Sequence, residues 1–286
     1  KQVTDNFYDF QVGAGIGGAI KKDKFFYYVN FEQALSEIPL LNAPGSNTSN
    51  IDIATVTQIA DVLKTRYNYD PGTFTNASIK TASSKLFFRL DYNVSEKHHI
   101  TLRNNYVKSY ADNLEWNESI FNFGNQGYRH HSRANSLAIE LNSKLTNQTS
   151  NTLTIGYNRV AENRDFGGRV FPHIDISDAS NSIFAGTYRE ASVYKTDLNT
   201  LQITNNFNFQ KKNHSFTLGG LFQYNDINYG FLTAWNGRWQ YRSVTDFLND
   251  TPSRIRGVYH INNNTYNFVN NRPSATIDAL TTGIYF

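Results

Sequence analysis

The stretch KLFFRLDYNVSEKHHITLRNNY, residues 85–106, decides the fold. Apolar and polar side chains alternate along its first half, so that Leu86, Phe88 and Leu90 share one face of an extended chain and Arg89 lies on the other. A short polar run interrupts the alternation, which then resumes. The stretch therefore predicts two antiparallel strands joined by a tight turn.

The same pattern recurs along the 286-residue chain. We predict nine strands, at residues 8–20, 24–36, 83–94, 98–111, 133–146, 151–165, 195–210, 214–231 and 275–286. Long connections follow the hairpins, near residues 37–82, 112–132, 166–193 and 232–274. We assign residues 1–286 to a single β-barrel domain, with no separate second domain.

The regular alternation of short turns and long connections along the chain indicates a membrane barrel. Outer-membrane barrels have short turns on the periplasmic side and long loops outside. The predicted strands exceed the roughly 5–6 residues usual in globular proteins and suit a bilayer crossing of about 9–11 tilted residues. We therefore predict an all-β, antiparallel transmembrane β-barrel with long extracellular loops.

The strand count bears on completeness. Bacterial single-chain barrels have even strand numbers, and an open edge leaves backbone groups unpaired in lipid. The predicted strands therefore suggest part of a larger barrel. A closed ten-strand barrel remains open as an alternative if one strand near the amino end is missed.

Composition excludes several classes of protein. The mean hydropathy is −0.53, yet 15% of the residues are aromatic, which is far from the composition of a disordered chain. There is no apolar run of about 20 residues, so a helical membrane protein is excluded. The net charge of +3 with mixed signs gives no reason to expect nucleic acid. The absence of methionine, even at position 1, suggests a processed form, a fragment or part of a longer chain.

One helix is predicted inside the first long connection. Val56, Ile59, Leu63 and Tyr67 follow the spacing of one helix face. The cluster at residues 69–72, which contains proline and glycine, predicts where the helix ends.

Three segments resemble TonB-dependent outer-membrane transporters. Residues 11–32, QVGAGIGGAIKKDKFFYYVNFE, resemble the hairpin that follows the plug, with Ala19 where the family usually has proline. The likeness is strongest to the Oar-like receptors of Bacteroidetes and myxobacteria. Residues 89–103 and 246–253 are similar to a second hairpin and a loop segment of the same receptors.

The resemblance implies a function and a set of partners. It implies a barrel of roughly 22 strands, of which this chain would supply about the second to the tenth, without the plug and the carboxy-terminal strands. It implies TonB-dependent uptake of a bulky substrate across the bacterial outer membrane. The implied partners are outer-membrane lipid, the TonB complex through a plug outside this chain, and a surface lipoprotein or secreted protein at the loops.

Motifs that suggest chemistry have simpler explanations. Gly13, Gly15 and Gly18 form a G-x-G-x-x-G pattern, but no helix is predicted after it, as a dinucleotide site requires. Small residues on one strand face indicate a smooth barrel interior instead. The histidine pairs 98–99 and 130–131 lie at opposite ends of the strands, too far apart to share one ion. We expect no enzyme activity, no cofactor and no metal.

Aromatic residues divide into two groups. Those on apolar faces near strand ends are typical of the aromatic belts at membrane interfaces; they are Tyr27, Tyr92, Tyr106, Tyr157 and Tyr224. Those in the long loops suggest capture of a carbohydrate or peptide, and the candidate substrate-binding residues are Trp116, Trp235, Trp239 and Tyr241. The alternative is that these four pack loop against loop.

Two other functions stay open on the sequence alone. One is a surface adhesin or scaffold barrel that transports nothing, and the weaker one is a soluble β-rich binding module. Apolar faces that continue unbroken across neighbouring strands would favour lipid over water.

Overall fold

A computed structural model describes residues 7–258 and 272–286. In chain order the elements are β1 (Tyr8–Lys21), β2 (Phe25–Pro39), α1 (Ile53–Tyr67), β3 (Ser78–Asn93), β4 (His98–Asn113), β5 (Ile120–Asn122), a 3-10 turn (Gly124–Gln126), β6 (Tyr128–Lys144), β7 (Thr149–Phe166), β8 (His173–Asp178), β9 (Asn181–Ala185), β10 (Val193–Lys211), β11 (His214–Leu232), β12 (Arg238–Tyr241), α2 (Val244–Leu248), β13 (Arg254–Arg256) and β14 (Ala275–Tyr285). They form a large sheet and a smaller folded unit.

The large sheet has nine strands in the order β1-β2-β3-β4-β6-β7-β10-β11-β14. Every neighbouring pair is antiparallel. Each predicted strand is present, with ends displaced by at most five residues. The all-β antiparallel prediction is confirmed. Within the described ranges β1 and β14 do not pair with each other, so these strands form an open arc.

One face of this sheet carries an unbroken apolar row. Residues directly opposite one another from β2 to β11 are Tyr27, Leu90, Leu102, Ile139, Ile155, Ile203 and Phe222. Several are more than a third exposed, for example Ile139 at 44%. A row of exposed branched and aromatic side chains is costly in water and stable in lipid. We call this the lipid face.

Tyrosines end the lipid face toward the long connections, and their hydroxyls point to polar groups. The Tyr157 hydroxyl donates to Asn199 over 3.0 Å, and that of Tyr224 donates to Asp278 over 2.8 Å. At the opposite end, the Lys24 ammonium lies 5.7 Å from the centre of the Tyr92 ring. This arrangement, with ring in lipid and polar tip outward, is that of an interfacial belt.

The opposite face of the sheet is polar, and we call it the inner face. It carries ion pairs between neighbouring positions, including Lys85 with Glu32 at 3.4 Å and Arg89 with Asp91 at 2.7 Å. Thr101 also donates to Asp91 over 2.8 Å. Charges of this kind are stable on a wall that faces water rather than lipid.

The described parts of the long connections, up to residue 258, fold into what we call the loop unit. It contains a five-stranded sheet, ordered β13-β12-β8-β9-β5, together with α1 and α2. Its apolar core includes Ile59, Leu63, Phe121, Ile176 and Phe247, each at most 1% exposed. The described parts of the long connections are therefore extensively folded rather than open.

The predicted helix is confirmed as α1. Asp52 caps it by accepting a hydrogen bond from the Thr55 backbone N–H over 3.3 Å, and Asn68 ends it in the left-handed conformation. Neither α-helix in the described chain is long and apolar enough to cross a membrane. The five short strands of the loop unit were not predicted from the sequence. Strands of three to six residues carry too little alternation to be recognised.

Candidate functional site

A concavity of about 420 Å³ lies on the inner face and spans β2, β3, β4 and β6. We call it the wall pocket, and its lining residues are Asn30, Glu32, Lys85, Phe87, Arg103, Asn105, Ser136 and Ala138. The strand alternation places these side chains on one face because each lies at an even spacing from its neighbour on the same strand. The pocket combines charge, amides and one aromatic ring.

Among the described residues, some charged side chains of the wall pocket have hydrogen-bond or ion-pair partners, and one does not. Glu32 accepts from Lys85 at 3.4 Å and from Asn30 at 3.2 Å. Arg103 stands directly opposite Arg89, which is already paired with Asp91. Within residues 7–258 and 272–286, Arg103 is exposed and makes no hydrogen bond or ion pair. The pocket therefore offers a guanidinium whose donors are free for a ligand.

An aromatic surface adjoins this guanidinium. The Phe87 and Tyr28 rings lie with their centres 6.1 Å apart on the inner face. Aromatic faces beside hydrogen-bonding groups suit a ligand that has both an apolar side and polar edges.

Glycines on β1 give Tyr28 its position. A Cβ atom on Gly15 would approach the Tyr28 hydroxyl to 2.9 Å, and one on Gly17 would approach the ring to 2.9 Å. The G-x-G-x-x-G pattern thus lies in a strand that continues into a turn and β2. Gly13, Gly15 and Gly17 allow close packing on the inner face.

The inner face continues across β10 and β11 as an uncharged polar surface. Thr200 donates to Asn225 over 2.8 Å, and Gln223 donates to the same oxygen over 3.3 Å. Gln202 donates to Thr204 over 3.4 Å. Amides and hydroxyls can both donate and accept, so this surface can exchange hydrogen bonds with hydroxylated or amide ligands.

An arginine joins the loop unit to the large sheet. The Arg164 guanidinium lies 4.0 Å from the centre of the Tyr194 ring and 4.9 Å from that of Tyr128. It also donates to the Glu190 backbone carbonyl over 2.7 Å. The cation–π contacts fix the guanidinium between two strands of the large sheet, and the charge-assisted hydrogen bond ties the connection before β10 to it.

The 246–253 segment, which resembles a receptor loop, organises the loop-unit core. Arg66 of α1 donates to the Leu248 carbonyl over 2.6 Å. The Tyr67 hydroxyl donates to Asp250 over 2.7 Å, and the Tyr241 hydroxyl contacts the same carboxylate oxygen at 3.3 Å. Burial raises the pKa of Tyr241, so its phenol stays protonated and donates. The segment has a structural role between α1 and β12.

The structure places the four predicted loop aromatics in or near the packed interior. Trp116 is 6% exposed, Trp235 8% and Tyr241 2%, while Trp239 is half-buried and packs on Tyr67. Trp116 donates from its indole nitrogen to the Asn122 carbonyl over 2.8 Å. Three of them, Trp116, Trp239 and Tyr241, meet in one core, and packing of loop against loop describes these positions. Their contact with substrate stays a prediction.

Sequence reasoning did not select Phe87 and Arg103. Both belong to the stretch that decides the fold, and both lie on its polar face. The sequence signal that could have indicated Phe87 is an aromatic ring on a strand face that otherwise holds charged residues. The free state of Arg103 depends on strand register, which the sequence does not show.

The histidine pairs take part in ordinary polar contacts at opposite ends of the sheet. His99 contacts Asn93 at 2.7 Å and Asp91 at 3.2 Å, near a short turn. His131 lies 3.1 Å from Asp165, near the loop unit. In the part of the chain that the structure describes, no three His, Asp or Glu side chains gather as a metal site would require.

His173, on β8, is a buried titratable group of the loop unit. It is 3% exposed, and its Nδ1 donates to the Gln126 side-chain oxygen over 2.9 Å. The Gln126 nitrogen then donates to the carbonyls of Ala185 and Gly186. Burial lowers the pKa of His173 to about 4, so the ring is neutral in the folded unit.

The buried histidine predicts that acid opens the loop unit. Its pKa rises from about 4 toward about 6.5 when the unit opens, so the open state binds more protons between these values. We expect stability to be full above pH ~6.5 and to fall by roughly 2–3 kcal/mol as the pH approaches 4. Hydrogen exchange of the loop unit against pH measures this. The same series on His173→Asn should lose most of the pH dependence, and an unchanged profile would contradict the assignment.

These observations define a class of protein. An antiparallel meander with a lipid face, a polar inner face, short turns at one end and folded connections at the other is a transmembrane β-barrel wall. The chain belongs to the outer membrane beta-barrel domain family, which it matches over residues 39–277. It is an outer-membrane protein.

A solved structure is similar to the whole wall. The crystal structure of the outer membrane transporter YddB from Escherichia coli superimposes with a TM-score of 0.61 at 10% sequence identity. The match covers 98% of this chain and 32% of that chain, so this chain spans about a third of the transporter's length. At this identity the likeness shows the fold. A comparison with curated proteins finds no match.

Proposed function

We propose that the protein is the wall segment of a TonB-dependent receptor that takes up a bulky polar substrate across the outer membrane. The observation that carries the proposal is the wall pocket, where the unpaired Arg103 and the Phe87 ring face the inner side. The similarity to an outer membrane transporter supports the same function.

The resemblance of residues 11–32 to the hairpin after a receptor plug supports the coupling to TonB. In this proposal the barrel has roughly 22 strands, which leave a lumen wide enough for a plug and a substrate. The TonB complex acts through that plug. A surface lipoprotein or secreted protein binding at the loop unit belongs to the same proposal.

The proposed substrate is polar and has an apolar side. Arg103 can bind an anionic or hydroxyl oxygen, Phe87 can stack on a ring or apolar edge, and Asn105 can both donate and accept. No step makes or breaks a covalent bond, and no cofactor takes part.

Energised uptake tests the function directly. The substrate is first identified by mass spectrometry of small molecules that co-purify with the full-length protein. Its uptake is then measured in cells with and without TonB, and before and after dissipation of the proton gradient. We expect uptake to stop in both depleted conditions. Equal uptake without TonB would overturn the proposal.

Wall-pocket variants provide a second prediction. Arg103→Gln and Phe87→Ala should each weaken binding of the co-purifying substrate by about tenfold, since a charge-assisted hydrogen bond or a stacked ring contributes about 1–2 kcal/mol. The matched control is Arg159→Gln, because Arg159 lies on the outward side and pairs with Asp197 at 2.9 Å. Unchanged affinity in both pocket variants would place the substrate elsewhere.

The loop unit favours one alternative, a surface adhesin. It has its own sheet and apolar core, which could present a rigid binding surface. An adhesin would bind its partner at the loop unit with wild-type affinity in Arg103→Gln and Phe87→Ala. It would also be indifferent to TonB.

A further inference from the structure

Two cations face each other on the outward side of the sheet, above the lipid face. Lys108 on β4 and Arg133 on β6 are directly opposite in the strand register, and both are exposed. Like charges opposite each other on antiparallel strands are destabilising. The arrangement therefore calls for a compensating anion.

Carboxylates on the same outward surface are engaged by other side chains. Those with a basic partner are Asp197 with Arg159 at 2.9 Å, Asp112 with Arg129 at 2.6 Å and Glu37 with Lys80 at 3.4 Å. Asp165 lies 3.1 Å from His131, Asp226 accepts from Asn199 over 3.4 Å, and Asp278 accepts from Tyr224 over 2.8 Å. In the described ranges, Lys108 and Arg133 make no hydrogen bond or ion pair. Their charge is thus left for something outside the chain.

Their height on the wall identifies the layer that they face. Lys108 lies two residues beyond the belt residue Tyr106, and Arg133 lies four residues beyond Leu137 of the apolar band. At the usual strand rise and barrel tilt, these steps correspond to roughly 5 Å above the belt and roughly 10 Å above the apolar band. That is the layer of lipid headgroups.

We propose that Lys108 and Arg133 form a binding site for the phosphate group of an outer-leaflet lipid. Arginine presents a planar fork that can bind two phosphate oxygens, and lysine adds a compact charge from the neighbouring strand. The acyl chains of such a lipid would run down the lipid face past Tyr106 and Leu137. The chemistry recognised is a phosphate monoester or diester, and its lipid source follows from the outward direction of both side chains.

The experiment uses the full-length protein in detergent micelles and native mass spectrometry. The probe is diphosphorylated lipid A, titrated against wild type and against the double variant Lys108→Gln, Arg133→Gln. We expect the double variant to bind the lipid at least about tenfold more weakly. The charge-matched control is Lys211→Gln, Lys212→Gln, at the end of β10 and in the turn that follows it, which should bind as wild type does.

Two further arms define the ligand. Lipid A without phosphates should bind wild type as weakly as diphosphorylated lipid binds the double variant. Arg133→Lys should retain part of the affinity because it retains the charge. Heat-modified mobility on gels verifies that each variant is folded.

Three results would overturn the proposal. The first is equal affinity of the double variant and wild type for diphosphorylated lipid A. The second is equal binding of the lipid with and without phosphates. The third is binding of inorganic phosphate as tightly as the lipid, which would make the site one for a free anion.

Discussion

Phe247→Ala is expected to unfold the loop unit while the nine-stranded sheet stays intact. Phe247 is fully buried in the loop-unit core, with its ring centre 5.2 Å from that of Tyr241. Truncating a buried phenylalanine leaves a cavity and costs about 3–5 kcal/mol. A five-residue helix such as α2 has little stability of its own, so its loss spreads to the core it anchors.

Hydrogen exchange measures this result segment by segment. Protection should fall in α1, β8 and α2 and remain unchanged in β6 and β7. The matched control is Ile255→Ala on β13, where the side chain is 60% exposed and its loss should change little. Retained protection of α1 in Phe247→Ala would show that the loop unit does not depend on this core.

Ile155→Arg is expected to prevent stable insertion of the sheet. Ile155 lies in the middle of the unbroken apolar row, between Ile139 and Ile203. An arginine at the membrane midplane on the lipid face of a barrel costs about 2–4 kcal/mol. Folding into vesicles, followed by the shift in gel mobility on heating, measures the inserted fraction.

The adjacent residue provides the control. Thr154→Arg places the same side chain on the inner face, directly opposite Glu140, where water and a carboxylate are available. We expect near wild-type insertion for this variant. Equal loss in both variants would mean that the two faces of β7 do not differ in their surroundings.

The sequence was sufficient for the sheet because each strand carries its own alternation. In the 85–106 stretch, the face that holds Leu86 and Leu90 is the lipid face of the structure. The helix could be predicted equally well, since the spacing of Ile59 and Leu63 is a local signal. Strand ends were less accurate because polar residues continue the strands beyond the apolar band.

The fold of the loop unit could not be predicted from local sequence patterns. Its strand β8 pairs in parallel with β12, more than sixty residues later in the chain, and β5 pairs in parallel with β9. No local pattern indicates such pairings. The burial of Trp116 and Tyr241 depends on that assembly, and so does the anchoring role of the 246–253 segment.

The candidate site was only partly visible in the sequence. The polar face of β3 and β4 was predicted, and with it the side on which Phe87 and Arg103 lie. Which charges on that face are paired depends on the register between β2, β3 and β4. The same holds for Lys108 and Arg133, because their opposition across two strands is a property of the sheet.

The central claim is that one face of the nine-stranded sheet lies in lipid and the other in water. The chain has no cysteine, so single cysteines at residues 152–157 can carry a nitroxide label in bilayers once any cysteine elsewhere in the full-length protein is replaced. We predict that collisions with oxygen, which concentrates in lipid, peak at 153, 155 and 157, and that collisions with a water-soluble nickel complex peak at 152, 154 and 156. Equal exposure of all six positions to either reagent would contradict the claim.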